Sequence, residues 1–164
     1  MILIGIKKGD EVLSAVFTCT ATNLPLVRRG AKIKFIDINE KLLVDFDDIS
    51  KKISNKTKAI VVVNLGGIQV DKRIFSLAKR YKIPVVVDAC QSLGIREKHG
   101  DYICYSFQAI KHFTTGDGGM LVVRNQKDYK RAKKLRWFGI DRELKKRAGW
   151  RTLVNHPMAQ EIEE

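Results

Sequence analysis

The amino-acid sequence predicts an α/β fold with a mostly parallel sheet flanked by helices. Two continuous runs of β-branched and apolar residues, at 58–65 and 83–89, are typical of strands that are buried on both faces. Between these runs, residues 71–82 carry apolar side chains at helical spacing. The residues that share this helical face are Ile74, Leu77, Ala78 and Tyr81. A strand, a helix and a second strand of this kind form a βαβ unit, in which the two strands are parallel.

The first part of the chain shows the same alternation of strand and helix patterns. Residues 11–17, EVLSAVF, are rich in residues that favour strands. Residues 20–31 predict a helix that begins at Thr20 or Thr22. We expect Pro25 to lie in the first turn of that helix, because proline has no N–H to donate further along a helix.

Three more strands and two more helices complete the predicted order. Residues 32–38 alternate polar and apolar side chains, as a strand does. Residues 45–54 begin with acids and end with lysines, which suits the dipole of a helix. Further strands are predicted at 101–107 and 118–123, and a last helix at 126–139, which ends in a glycine.

The composition indicates one globular domain without a membrane span. The chain has 164 residues, of which 45% are hydrophobic, and this share is enough for a core. No run approaches the roughly 18 apolar residues that a membrane-spanning helix needs. Only six uncharged residues precede Lys7, which is too few for the apolar region of a signal peptide. We therefore expect a cytoplasmic protein.

The cysteines and histidines predict neither a disulfide framework nor a metal site. Cys19, Cys90 and Cys104 have no CxxC spacing and lie among apolar residues, so we expect buried thiols in a reducing compartment. The histidines are scattered and lack the spacing of metal ligands.

The net charge of +13 allows two interpretations. It suits a nucleic acid or a phosphorylated ligand. The basic residues, however, are spread over predicted helices and interleaved with apolar ones, which favours solvated helix faces. Because the chain lacks the interleaved aromatic and basic residues of an RNA-binding sheet, we expect no nucleic-acid partner. Binding to a nucleic acid with a steep salt dependence would instead support the alternative, a small basic module that binds nucleic acid.

Four polar residues follow predicted strands, at the end of the sheet where α/β proteins bind ligands. Asp88 ends one apolar run, and Gln91 follows three residues later; Ser106 closes the next strand, and Lys111 precedes a cluster of glycines. Taken singly, each has an ordinary explanation as a helix cap, an exposed lysine or a turn. Together they offer a carboxylate for a pyridinium nitrogen, a hydroxyl for a phosphate and an amine that attacks carbonyl groups. This set predicts a pyridoxal-phosphate site.

The segments around these residues resemble a known family. VDACQSLG at 87–94, YSFQAIKHFTTGDGGMLVV at 105–123 and LRWFGIDRE at 135–143 are similar, in this order, to the DegT/DnrJ/EryC1/StrS sugar aminotransferases. The upstream segments 9–38 and 55–71 fit the same family, so the resemblance covers nearly the whole chain. It implies the large domain of the aspartate-aminotransferase-like, type I fold of pyridoxal-phosphate enzymes.

The resemblance implies a role for each candidate residue. Lys111 would bond to pyridoxal phosphate and then shuttle protons, and Asp88 would pair with the ring nitrogen. Gln91 would contact the ring hydroxyl, and Ser106 would bind the phosphate. At the position of Cys19, the family usually carries a side chain, often aromatic, that stacks on the ring. That Cys19 is a small core residue is an equally open interpretation. Dehydratases of the family carry histidine in place of the lysine, so Lys111 favours transamination.

The resemblance also implies the substrates and the assembly. A homodimer would transfer an amino group from an amino acid, usually glutamate, to a nucleotide-linked keto-sugar in amino-sugar and polysaccharide biosynthesis, with no membrane partner. Compared with the family, the chain looks truncated at both ends, and the link at 95–102 looks short. We expect residues 1–141 to form an incomplete large-domain core and 142–164 to begin the connection to an absent small domain. Such a chain would have little activity alone, and a non-catalytic remnant is the main alternative.

Overall fold

A computed structural model describes residues 1–136 of the chain. The strands are β1 Glu11–Ala15, β2 Lys32–Ile36, β3 Thr57–Val63, β4 Val85–Asp88, β5 Tyr102–Ser106 and β6 Gly119–Val123. The helices are α1 Thr20–Arg28, α2 Phe46–Lys52, α3 Arg73–Tyr81 and α4 Gln126–Leu135, and a short 3-10 helix spans Leu65–Gly67. Strands and helices alternate from β1 to β4, as the sequence predicts, but β4, β5 and β6 follow one another without a helix between them.

The strands form one sheet in the order β2-β1-β3-β4-β5-β6. The four pairings between β2 and β5 are all parallel, which confirms the predicted fold class. The strand order reverses at β1, since β2 lies on one side of it and β3 on the other. In open α/β sheets, ligands bind beyond the carboxyl ends of the strands near such a reversal.

Two apolar clusters flank the sheet, because alternate residues of each strand point to opposite faces. On one face, Ile60 and Val62 of β3 pack in a cluster that includes Ile74 of α3. On the other face, Val61 packs in a cluster that includes Leu26 of α1. All five side chains are at most 1% exposed, and each contributes about 1.5–3 kcal/mol by leaving water. Burial on both faces explains why β3 is continuously apolar instead of alternating.

Helix α2 begins and ends as its charge pattern predicts. The Asp45 side chain accepts hydrogen bonds from the N–H groups of Asp47 and Asp48 at 2.6 and 3.2 Å, and so caps the first turn. In the last turn, the ammonium group of Lys52 lies 2.7 Å from the Asp48 carboxylate. An acid four residues before a lysine is the favourable order for such a pair.

Two details of the helices differ from the prediction. Pro25 lies inside α1, beyond the first turn. It is exposed, so water can satisfy the helix carbonyl that proline leaves without a donor. In α3, Ile74, Leu77 and Ala78 are buried as predicted, but Tyr81 is 38% exposed because it lies in the last turn, beside the solvent.

The described residues fall into two compact units. One consists of Met1 and Leu3–Val122; within residues 1–136, the other consists of Ile2 and residues 123–136, which include α4. Helix α4 is capped by the Asn125 side chain, which accepts a hydrogen bond from the Asp128 N–H at 2.7 Å. The predicted end of this helix at residue 139 and the predicted domain boundary at residues 141 and 142 lie outside the described residues.

Residues 1–136 contain no helix that is both long enough and apolar enough to span a membrane. The same residues contain no cluster of three or more side chains that could hold a metal ion.

Candidate active site

The structure brings the five predicted site residues to the carboxyl edge of the sheet. Asp88 and Ser106 are the last residues of β4 and β5, which are neighbouring parallel strands. Gln91 and Lys111 follow these two strands, and Cys19 follows β1. Since parallel strands end at the same edge, residues far apart in sequence meet where ligands bind to this class of sheet.

The Asp88 carboxylate is held on both of its oxygens. Oδ2 accepts a hydrogen bond from the Thr22 hydroxyl at 2.6 Å, and Oδ1 accepts one from the Cys90 N–H at 3.0 Å. The Thr18 hydroxyl lies 2.7 Å from that of Thr22. Because Thr22 donates to Asp88, Thr18 donates to Thr22, and the two hydroxyls form a chain that ends on the carboxylate. Hydrogen bonds to a charged acceptor are short and strong, so this carboxylate is fixed in orientation.

The sequence interpretation missed Thr22. This residue is 7% exposed and lies on the same face of α1 as Leu26, which is fully buried. The spacing of four residues between them predicts a shared helix face. Two features of the sequence could have identified Thr22 as a site residue: this spacing, and its position in the first turns of a helix that follows β1.

The Gln91 side chain is oriented by the 3-10 helix that follows β3. Its Oε1 accepts a hydrogen bond from the Gly66 N–H at 2.8 Å. Gly66 has a φ of +59°, in the left-handed region that glycine enters at little cost. Because Oε1 is engaged by the backbone, the NH₂ group of Gln91 is left to donate hydrogen bonds to a ligand.

A glycine lets β6 approach the end of β5 closely. A Cβ atom added to Gly119 would lie 2.8 Å from the carbonyl oxygen of Tyr105, closer than side-chain carbons approach backbone oxygens. Ser106 follows Tyr105, and its Oγ accepts a hydrogen bond from the Gln108 N–H at 3.3 Å. Since Oγ acts as an acceptor there, the Ser106 hydroxyl proton can be donated elsewhere.

Lys111 is partly buried, and its backbone N–H donates to the Gln108 carbonyl at 2.9 Å. Within residues 1–136, its ammonium group takes part in neither of the two ion pairs. Its positive charge acts on the Cys90 thiol, two residues from Asp88, and by itself lowers the pKa of that thiol. The next residue, His112, anchors the segment, since its Nε2 lies 3.2 Å from the Leu93 carbonyl oxygen.

The three free thiols differ in environment. Burial, followed by a hydrogen bond with Asp88 and the negative charge of Asp88, raises the pKa of Cys90 to about 12. Burial, followed by the charge of Asp88, raises the pKa of Cys104 to about 11. Cys19 is exposed, so the predictions of a buried thiol and of a small core residue are wrong for this position. It caps α1 through its backbone, at the open edge of the sheet.

An apolar cavity of about 250 Å³ adjoins this edge. Both Cys90 and Cys104 line it, which accounts for the burial of their thiols, and Thr22 and Asp88 supply polar lining. Lys111 does not line it. Through Asp88 the cavity adjoins the candidate site.

A family model described as the DegT/DnrJ/EryC1/StrS aminotransferase family matches residues 1–158. The chain belongs to this family. Among the curated DegT/DnrJ/EryC1/StrS relatives, a UDP-4-amino-4-deoxy-L-arabinose–oxoglutarate aminotransferase from Shewanella sediminis is 34% identical, over 90% of this chain and 41% of its own length. A GDP-perosamine synthase from Escherichia coli O157:H7 is 36% identical, over 80% of this chain and 38% of its own length. The chain thus spans about 40% of the length of these relatives.

The fold of this DegT/DnrJ/EryC1/StrS chain is also shared with solved structures. NtdA from Bacillus subtilis, solved with its bound cofactor PMP, superposes with a TM-score of 0.80 at 28% identity. The superposition covers 95% of this chain and 34% of NtdA. The mostly parallel sheet is therefore the type I fold that the sequence predicts.

Proposed function

We propose that this chain is part of a pyridoxal-phosphate-dependent aminotransferase that acts on a nucleotide-linked keto-sugar. The observation that supports the proposal most is that Asp88, Gln91, Ser106 and Lys111 lie at one edge of the sheet in a chain of this family. When bound, the cofactor supplies an aldehyde that reacts with amines and a ring that withdraws electrons from the reacting carbon.

The polar groups at the edge match the polar groups of that cofactor. Asp88 keeps lone pairs beyond the two hydrogen bonds that it accepts, so it can take one more, from a protonated ring nitrogen. The NH₂ group of Gln91 would donate to the ring oxygen, and the Ser106 hydroxyl to the phosphate. Cys19, at the open edge, would pack against the ring face.

Lys111 would hold the cofactor through its amine and then move the proton that transamination requires. It is partly buried, and it lacks a carboxylate partner in the described part of the chain, which ends at residue 136. The neutral form of an amine is the one that attacks an aldehyde. Nε2 of His112 lies 3.2 Å from the Leu93 carbonyl oxygen, which can only accept a hydrogen bond, so this nitrogen is the donor in that contact.

The substrate class follows from the relatives. Two are named for products or substrates that are UDP- and GDP-linked amino sugars, and one of these names includes oxoglutarate. We therefore propose a keto-sugar nucleotide as acceptor and glutamate as donor. We also propose that the enzyme is a homodimer and lies in the cytoplasm. The free thiols suit such a reducing compartment.

Reductive labelling tests the proposal at Lys111. The protein is mixed with pyridoxal phosphate, reduced with borohydride, digested and mapped by mass spectrometry. We expect one dominant adduct, at Lys111, which is lost in Lys111→Ala and kept in the matched variant of an exposed neighbour, Lys98→Ala. Label spread evenly over surface lysines, and unchanged in Lys111→Ala, would contradict the assignment.

A second experiment tests the substrate class. The protein loaded with pyridoxal phosphate is incubated with glutamate and a panel of UDP- and GDP-linked keto-sugars, and 2-oxoglutarate is measured. Because we expect this chain to have little activity alone, 2-oxoglutarate in excess over the cofactor should form slowly, and only when a keto-sugar nucleotide is present. Equal turnover with simple 2-oxo acids and none with the nucleotides would overturn the sugar assignment and leave the cofactor assignment intact.

A further inference from the structure

The carboxylate of Glu97 is buried behind the candidate site. It is 8% exposed and lies in the link between β4 and β5. Its Oε2 accepts hydrogen bonds from the side-chain amides of Asn64 at 2.9 Å and Gln69 at 3.2 Å. Its Oε1 accepts one from the His99 N–H at 2.8 Å. A buried carboxylate is costly unless its hydrogen bonds are satisfied, so these donors hold it in one orientation.

Asn64 connects this carboxylate to the active edge. It is 1% exposed, and its backbone N–H donates to the Asp88 carbonyl at 2.9 Å. Its side-chain Oδ1 accepts a hydrogen bond from the Val70 N–H at 3.2 Å, while its Nδ2 donates to Glu97. The Asn64 side chain thus closes the loop from residue 64 to residue 70, and Glu97 fixes which end of that amide faces the loop.

The loop that Asn64 closes contains Gly66, whose N–H donates to Gln91 Oε1. From this chain of contacts we propose that Glu97 is a positioning residue for Gln91, acting through Asn64 and the Leu65–Gly67 turn. It fixes the Gly66 N–H, which engages Oε1 of Gln91 and leaves the NH₂ group to donate to the cofactor ring oxygen. This inference rests on the proposed function for its ligand, but the contacts themselves are independent of it.

Swapping the acceptor at position 97 with the donor at position 64 tests the proposal. Glu97→Gln replaces one carboxylate oxygen by an NH₂ group, which faces either the NH₂ groups of Asn64 and Gln69 or the His99 N–H, so at least one hydrogen bond to this side chain is lost in each orientation. Adding Asn64→Asp to Glu97→Gln restores the pair with reversed polarity. The new carboxylate at position 64 can accept a hydrogen bond from the new amide at position 97 and still accept one from the Val70 N–H. The net charge is unchanged in the double variant.

Three readouts are measured on the full chain. In the cofactor-free protein, we expect hydrogen exchange at the Gly66 amide to be about tenfold faster in Glu97→Gln and to return near the original rate in the double variant. With pyridoxal phosphate, we expect the dissociation constant to rise about tenfold in Glu97→Gln, the size of one lost hydrogen bond to a charged group. The pH midpoint of the bound cofactor's visible absorption should shift upward, since a donor to the ionised ring oxygen is lost.

A matched control separates positioning from general loss of stability. Asp45→Ala removes the cap of α2, away from the site, and should lower stability without moving the pH midpoint. If Glu97→Gln does not fold, Gln69→Met removes the exposed donor to Glu97, together with its hydrogen bond to the Arg96 carbonyl, and we expect shifts in the same direction of about threefold.

The outcomes distinguish the two proposals. An original chain that binds no pyridoxal phosphate overturns the proposed function and the ligand assigned to Gln91. Tight binding in the original chain, with unchanged Gly66 exchange and an unchanged pH midpoint in Glu97→Gln or Gln69→Met, overturns the positioning role and leaves the function standing.

Discussion

The two partly buried thiols should be nearly inert towards alkylation at mildly alkaline pH. Iodoacetamide reacts with the thiolate, and the environment of Cys90 and Cys104 keeps both as neutral thiols. Burial is the main cause of the raised pKa of each, and the charge of Asp88 adds to it. Exposed Cys19 is the internal reference in the same sample.

The expected rates follow from the fraction of thiolate. At pH 8, an ordinary cysteine with a pKa of about 8.5 is roughly one-quarter thiolate. With a pKa of about 12, Cys90 has roughly one thiolate in 10⁴. With a pKa of about 11, Cys104 has roughly one in 10³. Relative to an ordinary thiol, we therefore expect alkylation to be slower by about 10³-fold at Cys90 and about 10²-fold at Cys104, before any effect of access.

The assay is a time course of alkylation with peptide mapping by mass spectrometry at about pH 8 and about pH 9. Both pH values lie well below the two raised pKa values, so each rate should rise about tenfold over this pH unit. In Lys111→Met, Cys90 should react more slowly still, because the positive charge that lowers its pKa is gone. Alkylation of Cys90 as fast as that of Cys19, or a Cys90 rate that levels off below about pH 10, would refute the reasoning.

Three further predictions concern stability, measured by urea unfolding monitored with circular dichroism. Thr22→Val removes the hydroxyl that donates to Asp88 and should lower the free energy of unfolding by about 1.5–3 kcal/mol. Thr22→Ser keeps a hydroxyl and should retain most of that free energy. Equal losses in the two variants would argue against the hydrogen bond. Burial alone would raise the pKa of Asp48, but hydrogen bonds from Lys52 and a backbone N–H lower it. The stabilisation from Asp48 is therefore present above its unfolded pKa, near about 3.9, and is lost as the pH falls through the lower folded value. Asp48→Asn should cost about 0.5 kcal/mol at about pH 7 and progressively less as the pH falls through the folded pKa, and a loss that is constant with pH would contradict this. Gly119→Ala should lower stability by about 1–3 kcal/mol because its Cβ meets a β5 carbonyl, and a neutral effect would show that β6 can move away.

The sequence predicted the strands because their signal is local. Burial against the sheet is indicated directly by two local patterns. One is the run of β-branched residues in β3, and the other is the helical spacing of Ile74, Leu77 and Ala78 in α3. Asp88 and Ser106 were found for a related reason: each closes a strand, and parallel strands end at a common edge.

The partners of these residues could not be predicted in the same way. Thr22 meets Asp88 across 66 residues, and Asn64 meets Glu97 across 33 residues. No local pattern indicates such a pair, since each depends on how α1 and the two links pack on the finished sheet. The exposure of Cys19 depends on where β1 ends. The strand ends at Ala15, so the chain has left the core before it reaches the cysteine.

The strand order has a consequence for how the protein is made. From β4 to β6, each strand lies beside the one that precedes it in the chain, and β3 lies beside β1. As the polypeptide leaves the ribosome, every new strand can therefore dock on an edge that is already present, without displacing an earlier strand. The segment that bears Lys111 emerges after β5, a few seconds later than Asp88 at a synthesis rate of roughly 5–20 residues per second. Lys111 is thus the last candidate residue to arrive, and it reaches an edge that already carries Asp88, Gln91 and Ser106.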